Sequence, residues 1–310
     1  MNHTIHGERH HWRWDNRLEP VACVAPGDVV EMETLDPGGG QIRPDSTASD
    51  LLTLDFGRVN PVTGPLWVEG ALPGDAVKVT ILDLAPCGWG WSALIPGFGL
   101  LAEDFPEPYL ELWTYDRAGR QPAAFGSVAR VPLKPMLGSI GLAPAKPGAH
   151  DILPPRRVGG TMDIRDLALG SELYLPVEVP GALLSVGDGH AAQGDGEVCG
   201  TGLETAMRAT IEIELVKAAG LPGPQFVTPG PVARHLDARG YYATTGIGPS
   251  LMTGAVAAVR AMIDLLARRH DLAPEQAYLL CSLVADLRIS EIVDRPNWVV
   301  SCYFPRLVFE

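Results

Sequence analysis

"PGDVVEMET", Pro26 to Thr34, and "PGDAVKVTILD", Pro73 to Asp83, are the stretches that decide the fold of this 310-residue chain. In each, a Pro-Gly-Asp turn leads into a segment in which apolar and polar side chains alternate. Successive side chains of a strand point to opposite faces, so alternation is typical of an antiparallel strand with one solvated face. "TIEIELV", Thr210 to Val216, repeats the pattern without interruption. Residues 1–220 are therefore predicted to form a mainly β body.

The last third of the chain has a different periodicity. In "PSLMTGAVAAVRAMIDLLARRH", Pro249 to His270, apolar residues recur at helical spacing and the last turn is basic, as at many helix C-termini. A second helix is predicted from Pro274 to about Asp286, because proline suits the first position of a helix. Strands are predicted at Leu287 to Val293 and at Trp298 to Phe304. Residues 221–310 are thus predicted to form an α+β part that closes on the body.

Two segments show little periodicity. Residues 86–113, which include "PCGWGWSALIPGFGLL", are rich in glycine and aromatic residues, and residues 136–166 are rich in proline and glycine. Both are predicted to be long ordered loops. Irregular segments of this length inside a compact domain are often functional. We expect residues 1–310 to form a single unit around them.

Composition excludes several classes of function. The formal net charge is −13, with 24 basic against 37 acidic residues, and no basic cluster is present, so nucleic acid is not an expected partner. No run of about 18 or more apolar residues occurs, which argues against a membrane span, and the N-terminus lacks the apolar region of a signal peptide. The five cysteines are far apart and form no CxxC motif. Reduced thiols in a cytoplasmic protein are the expectation.

The richest candidate site is "GDGHAAQGDGE", Gly187 to Glu197, which follows the apolar run "GALLSV". Its polar members are Asp188, His190, Gln193, Asp195 and Glu197. In an extended segment Asp188 and His190 point to the same side, and Asp195 and Glu197 form a second such pair. The glycines let the backbone turn sharply and approach a ligand closely. Converging carboxylate and imidazole groups suit a divalent metal or an acid/base pair.

Plainer interpretations stand beside this one. Aspartates in a glycine-rich turn commonly bind their own backbone, but the density of ionisable groups here favours an active site. Asp163, in "GGTMDIRD", is either a further ligand or a capping residue of a turn. Trp89 and Trp91 either line a small-substrate pocket or belong to the core. Cys199 is a candidate nucleophile with His190 as its base, although a small buried cysteine explains it equally simply.

Several separated stretches resemble the acetamidase/formamidase family. They are "WDNRLEPVACVAPGDVVEMETLD" (14–36), "NPVTGPLWVEGALPGD" (60–75), "GWGWSALIPGFGLL" (88–101), "PMLGSIGLAP" (135–144), "PPRRVGGTMDIRDL" (154–167), "LYLPVEVPGALLSVGDGHAAQGDGEVCGTGLE" (173–204) and "DLRISEIVD" (286–294). The resemblance implies hydrolysis of formamide or acetamide to carboxylate and ammonia. It also implies a β-sandwich body with extra β subdomains and a C-terminal α+β part used in dimerisation. Two positions depart from the family's pattern, Asn60 in place of histidine and Thr161 in place of asparagine.

Residue roles follow from the cluster and the resemblance together. Asp163, Asp188 and His190 are the predicted ligands of a divalent metal, with zinc favoured. Glu197 is the predicted general base, with a role as a further ligand left open, and Asp188 and His190 are counted with it as catalytic. The predicted substrate-binding residues are Trp89, Trp91, Asn60, Thr161 and Gln193. The expected partners are a small amide and a second copy of the chain.

Two other functions remain open at this point. One is hydrolysis of a larger or cyclic amide, which the size of the pocket decides. The other is a non-catalytic β-sandwich protein that binds a small ligand through Trp89 and Trp91.

Overall fold

Strands dominate the computed structural model, which describes residues 2–310. In chain order they are β1 (Asn2–Ile5), β2 (His10–His11), β3 (Arg13–Trp14), β4 (Ala22–Val24), β5 (Asp28–Thr34), β6 (Val62–Val68), β7 (Ala76–Pro86), β8 (Trp89–Leu94), β9 (Tyr109–Thr114), β10 (Ala123–Phe125), β11 (Ala129–Val131), β12 (Met136–Gly141), β13 (His150–Asp151), β14 (Gly159–Thr161), β15 (Glu172–Pro176), β16 (Leu184–His190), β17 (Met207–Val216), β18 (Gln225–Val227), β19 (Tyr241–Gly248), β20 (Asp286–Glu291) and β21 (Trp298–Pro305). The helices are α1 (Leu251–His270) and α2 (Pro274–Val284), with short 3₁₀ helices at Ala48–Thr53, Phe56–Arg58, Asp237–Arg239 and Arg306–Phe309. The predicted mainly β chain is confirmed.

Two six-stranded sheets form the body. The first has the order β1-β5-β17-β7-β15-β18, and every pair except β1 with β5 is antiparallel. The second has the order β14-β12-β16-β6-β2, with β4 beside β6. Alternation along β17 is as predicted, since Ile211 and Ile213 are fully buried while Glu212 and Glu214 are not. The alternating stretches therefore do form sheet with one buried face.

The two sheets pack face to face around one apolar core. Val30 and Ile211 of the first sheet belong to the same cluster as Leu137 and Val186 of the second. Burying an aliphatic side chain of this size stabilises a fold by about 1.5–3 kcal/mol. This shared layer holds the two sheets together as a β-sandwich.

The C-terminal part builds a second core. Its three-stranded sheet has the order β19-β21-β20, and α1 and α2 pack against it around Val259, Leu280 and Phe304. The Oγ of Ser250 caps α1 by accepting a hydrogen bond from the backbone N–H of Thr253 at 3.1 Å. Within residues 2–310, neither helix combines the length and hydropathy needed to cross a bilayer.

The structure differs from the sequence-based predictions at three places. β18 lies beyond residue 220 and yet extends the first sheet of the body. Residues 86–113 are not one long loop, because β8 and β9 pair as a hairpin, and residues 136–166 contain β12, β13 and β14. The glycines in these segments mark close backbone contacts rather than loops. A methyl group at Gly90 would overlap the carbonyl oxygen of Glu204, and one at Gly159 would overlap that of Ile140.

The site segment connects the two cores. β16 runs through the centre of the second sheet, between β12 and β6, and ends at His190. The following residues turn away from the sheet, and Ala191, Val198 and Leu203 are buried in the second core. Groups at the end of β16 are therefore held by the sandwich on one side and by the helical part on the other.

Candidate active site

Asp188 and His190 stand together at the end of β16. Both are buried, with 2% and 1% of their surface exposed. As predicted from strand alternation, they point to the same side, and Oδ1 of Asp188 lies 3.2 Å from Nε2 of His190. Asp188 adopts a φ of 60°, a left-handed conformation that is unfavourable for a residue with a side chain. Such strain is typically retained where a side chain must be aimed at a ligand.

Gln193 fixes the histidine ring. Its Oε1 lies 2.8 Å from Nδ1 of His190, and its Nε2 donates to the carbonyl oxygen of Asp163 at 2.7 Å. Because Oε1 can only accept, Nδ1 of His190 carries the hydrogen. Nε2 is thereby left facing the carboxylates, as in a metal-binding histidine.

Glu204 completes this side of the site, and the sequence did not single it out. Its Oε2 lies 2.9 Å from Nε2 of His190, and its Oε1 accepts from the backbone N–H of Gly202 at 2.7 Å. The backbone of Glu204 pairs with both Trp91 and His190. The only signal in the sequence is an acidic residue within the apolar and small stretch "VCGTGLE".

Asp163 and Glu197 reach the same place from two loops. Both adopt left-handed φ values, 49° and 42°. A methyl group at Gly138 would overlap the carboxylates of both Asp163 and Asp188, so these two groups lie against the same glycine. The backbone N–H groups of Met162 and Asp163 both donate to the carbonyl of Gly138, which ties that loop to β12.

Asp195 does not accompany Glu197. The predicted pairing assumed an extended segment, but the chain turns here, with Glu197 N–H donating to the carbonyl of Gly194. The carboxylate of Asp195 instead accepts from Arg165 at 3.2 Å. Side-chain alternation applies only as far as the strand continues, and β16 ends at His190.

The two departures from the family pattern lie around Asp188. Asn60 donates from Nδ2 to Oδ2 of Asp188 at 2.7 Å. The hydroxyl of Ser139 donates to the same oxygen at 3.2 Å and lies 2.6 Å from the hydroxyl of Thr161. Asn60 therefore acts on Asp188 directly, and Thr161 acts on it through Ser139.

These groups open on a cavity of about 310 Å³, which we call the main cavity. Its polar wall contains Asn60, Thr161, Asp163, Asp188, Glu197, Thr201 and Glu204. Its apolar wall contains Pro37, Leu54, Phe56, Val59, Trp91, Ile95, Phe98, Leu153 and Pro154. Trp91 thus faces the cavity, whereas Trp89 and Gln193 lie outside its lining.

The charge of the site is unbalanced. We call Asp163, Asp188, Glu197, Glu204 and His190 the carboxylate cluster. Among residues 2–310, no lysine or arginine forms an ion pair with any of its four acids. Buried carboxylates without a cation hold a proton or bind a metal.

The pKa values reflect this imbalance. Burial, with the nearby Asp188, raises the pKa of Asp163 to about 8. Burial and Asp163 raise the pKa of Glu197 well above its usual range, and burial also raises that of Glu204. Burial opposes protonation of His190, but the carboxylates of Glu204 and Asp188 outweigh it and raise its pKa well above the ordinary value.

A divalent cation fits this cluster. Two sets of ligand atoms, one from Asp163, His190 and Glu197 and one from Asp188, His190 and Glu204, each lie within 4.8 Å of one another. Within the described part of the chain, Oδ1 of Asp163 and Oε2 of Glu204 are buried without a hydrogen-bond donor in good geometry. Mixed oxygen and imidazole ligands suit zinc and several other divalent ions.

The surroundings of Cys199 indicate a structural role. It is fully buried, outside the lining of the main cavity, and its thiol donates to the carbonyl of Ala93 at 3.4 Å. Burial raises the pKa of the Cys199 thiol to about 11, whereas a nucleophilic cysteine needs a lowered pKa. These features favour the plainer of its two interpretations.

Several known proteins are similar to this chain. A formamidase from Methylophilus methylotrophus is 29% identical over 97% of this chain and 89% of its own length. An acetamidase from Mycolicibacterium smegmatis is 31% identical over 67% of this chain and 66% of its own. Among solved structures, a gamma lactamase from Delftia acidovorans has a TM-score of 0.89 at 26% identity, covering 98% of this chain and 90% of that one. An acetamidase from Bacillus halodurans has a TM-score of 0.70 at 34% identity, covering 97% of each chain.

The family model gives the most complete match. That of the acetamidase/formamidase family covers nearly the whole chain in two segments, residues 2–148 and 145–310. The chain therefore belongs to the acetamidase/formamidase family.

Proposed function

We propose that this protein hydrolyses the C–N bond of a short aliphatic amide, such as formamide or acetamide, to carboxylate and ammonia. The observation that carries the proposal is the unbalanced carboxylate cluster at the floor of the main cavity. The family match and the relatives named formamidase and acetamidase support the same reaction.

Amide hydrolysis needs an activated water, a stabilised oxyanion and a proton for the leaving amine. Glu197 is suited to the proton transfers, because it lines the cavity and its side chain forms no hydrogen bond within residues 2–310. In this role Glu197 takes a proton from the attacking water and gives it to the leaving nitrogen, which departs as ammonia.

A divalent metal held by Asp163, Asp188 and His190, with Glu204 as a further candidate ligand, would polarise the carbonyl and lower the pKa of a bound water towards about 7. The surrounding residues keep those ligands in place. Gln193 holds the His190 ring with Nε2 towards the carboxylates, and Asn60 and Ser139 hold Oδ2 of Asp188. Partners of this kind typically account for about 10–100-fold in metal affinity or activity.

The test combines metal analysis with an ammonia assay. We expect the purified protein to contain about one divalent ion per chain or more, and to release ammonia from formamide. Chelation should remove both the ion and the activity, and adding back zinc or another divalent ion should restore them. A protein that is fully active without metal would overturn the metal-assisted mechanism and leave Glu197 acting alone.

Opening of a lactam ring is a second candidate. The structural similarity to the protein named a gamma lactamase favours it, with a TM-score of 0.89 over 98% of this chain. A lactam yields an amino acid and no free ammonia, so incubation with 2-pyrrolidinone and detection of a new primary amine distinguishes the two reactions. A non-catalytic binding role predicts neither product.

We also propose that the chain forms a homodimer through its C-terminal part. Five apolar side chains around α1, β19 and β20 are more than half exposed, namely Ile247, Met252, Ile289, Ile292 and Val293. Grouped exposed apolar residues commonly mark an interaction surface. Sedimentation equilibrium should give twice the mass of one chain, and Ile289→Glu should reduce it to that of a monomer.

The five free cysteines fit a cytoplasmic protein, which cell fractionation would test.

A further inference from the structure

The main cavity is larger than formamide or acetamide requires. Its volume is about 310 Å³. With about 30 Å³ of liquid per water molecule, this is room for about ten water-sized groups. Formamide or acetamide would fill only a small part of this space, and water would fill the rest.

The apolar wall of the main cavity carries no charged side chain. Trp91 and Ile95 lie deep in it, with 3% and 5% of their surface exposed. The only polar side-chain atom of Trp91, Nε1, donates to the carboxylate of Asp36 at 3.2 Å, so the ring offers only carbon to the cavity. No lysine, arginine or histidine of the described chain lines the cavity. A negatively charged acyl group would therefore find no cationic side chain along this wall.

Two aromatic rings extend this wall to the solvent. Phe56 and Phe98 contact each other edge to face, with centroids 5.8 Å apart, and they are 42% and 38% exposed. Gly200 makes room for Phe98, because a methyl group there would lie 2.5 Å from the ring. Binding of a ligand that covers exposed aromatic surface beside a cavity is favourable, because apolar area is removed from water.

From these features we propose that the preferred substrate is a primary amide whose acyl group is apolar, uncharged and larger than acetyl, and is bound between Trp91, Ile95, Phe56 and Phe98. This inference rests on the proposed amide hydrolysis. The amide group lies at the carboxylate cluster, and the hydrocarbon part lies along the apolar wall.

A panel of primary amides tests the inference. We expect kcat/KM to rise from acetamide through butanamide to hexanamide, by up to about fourfold for each buried methylene. Phenylacetamide should also exceed acetamide, and succinamate, which carries a carboxylate, should be a poorer substrate than butanamide. A value of kcat/KM that stays level or falls beyond acetamide would overturn the inference and leave amide hydrolysis intact.

Calorimetry separates the two possible failures. If no amide in the panel releases ammonia, amide hydrolysis itself is rejected, and the acyl site is judged from dissociation constants. Tighter binding of hexanamide than of acetamide then supports the apolar acyl site, whereas equal binding overturns it.

A matched pair of variants locates the acyl site. Phe98→Ala should lower kcat/KM for hexanamide by about tenfold, with a smaller change for acetamide, because only the longer chain reaches the ring. Phe226→Ala removes a ring of similar exposure, 41% against 38%, from β18 and outside the cavity lining, and should change neither value. Equal effects of Phe98→Ala on both substrates would overturn the placement.

Discussion

Two groups of acidic side chains lie side by side in this protein and differ in their balance of charge. The carboxylate cluster has four acids and a single histidine. The second group, which we call the arginine cluster, consists of Arg165, Asp166, Asp195 and Asp286. Arg165 is 2% exposed and forms ion pairs with Asp286 and Asp195, while Lys134 pairs with Asp166.

The two clusters share the same loops. Asp163 and Arg165 are two residues apart in one loop, and Asp195 and Glu197 are two residues apart in another. In the arginine cluster the acids meet cations, so their charges serve to hold the loops together. In the carboxylate cluster no lysine or arginine of residues 2–310 pairs with the acids, so those acids are available for a metal or a proton. The difference separates acids that position a site from acids that act in it.

The largest effect is expected from a substitution in the carboxylate cluster. Glu197→Gln keeps the size of the side chain and removes the base, so kcat for formamide should fall by about 10³-fold. The melting temperature should not fall, because an unpaired buried acid is replaced by a neutral group. Asp195→Asn, two residues earlier, is the matched control and should retain most of the activity. Near-normal turnover by Glu197→Gln would remove this residue from the base role.

The second-largest effect is expected from a substitution in the arginine cluster. Arg165→Met leaves the buried Asp286 with only the half-exposed Arg288, whose Nη2 lies 3.5 Å from Oδ2, and the free energy of unfolding should drop by about 3–5 kcal/mol. Arg157→Met removes an exposed ion pair with Glu178 and should cost no more than about 1 kcal/mol. Urea denaturation measures both. Adding Asp286→Leu to Arg165→Met should recover part of the loss, and if it deepens the loss, the ion pair is not the cause.

The sequence predicted the helices and the alternating strands well because those signals are local. α1 was expected from Pro249 to His270 and is observed at Leu251–His270. Asp188 and His190 were placed correctly on one side because they lie on one strand. Glu204 was missed because it reaches His190 only through a long-range backbone pairing that no local pattern encodes.

Glycine was the misleading signal. Gly90, Gly138 and Gly159 made their segments resemble loops, but each lies in a strand where a neighbouring group leaves no room for a side chain. Such contacts depend on the three-dimensional packing of distant segments, which sequence alone does not supply. The same limit explains Asp195, whose partner Arg165 comes from another loop.

A smaller effect tests how Asp188 is held. Asn60→Ala removes the donor to Oδ2 of Asp188, and metal affinity should fall by about 10-fold or more, with activity following it. Asn16→Ala removes an amide that also donates to protein oxygens, the carbonyls of Pro144 and Ala145, and should leave metal affinity unchanged. Titration with a zinc indicator measures both. Unchanged affinity in Asn60→Ala would mean that Ser139 alone suffices to hold Asp188.

The smallest effect concerns Cys199, which lies between Glu197 and Glu204 in the sequence but belongs to neither cluster. Cys199→Ala should keep kcat within about twofold, because a thiol with a pKa of about 11 is almost fully protonated at neutral pH and is a poor nucleophile. Iodoacetamide at pH 8 should label the exposed Cys23 and spare Cys199, with labelling of Cys199 rising only as the pH approaches 11. Loss of turnover in Cys199→Ala, with its melting temperature unchanged, would instead assign the nucleophile to this thiol and leave the carboxylate cluster the task of activating it.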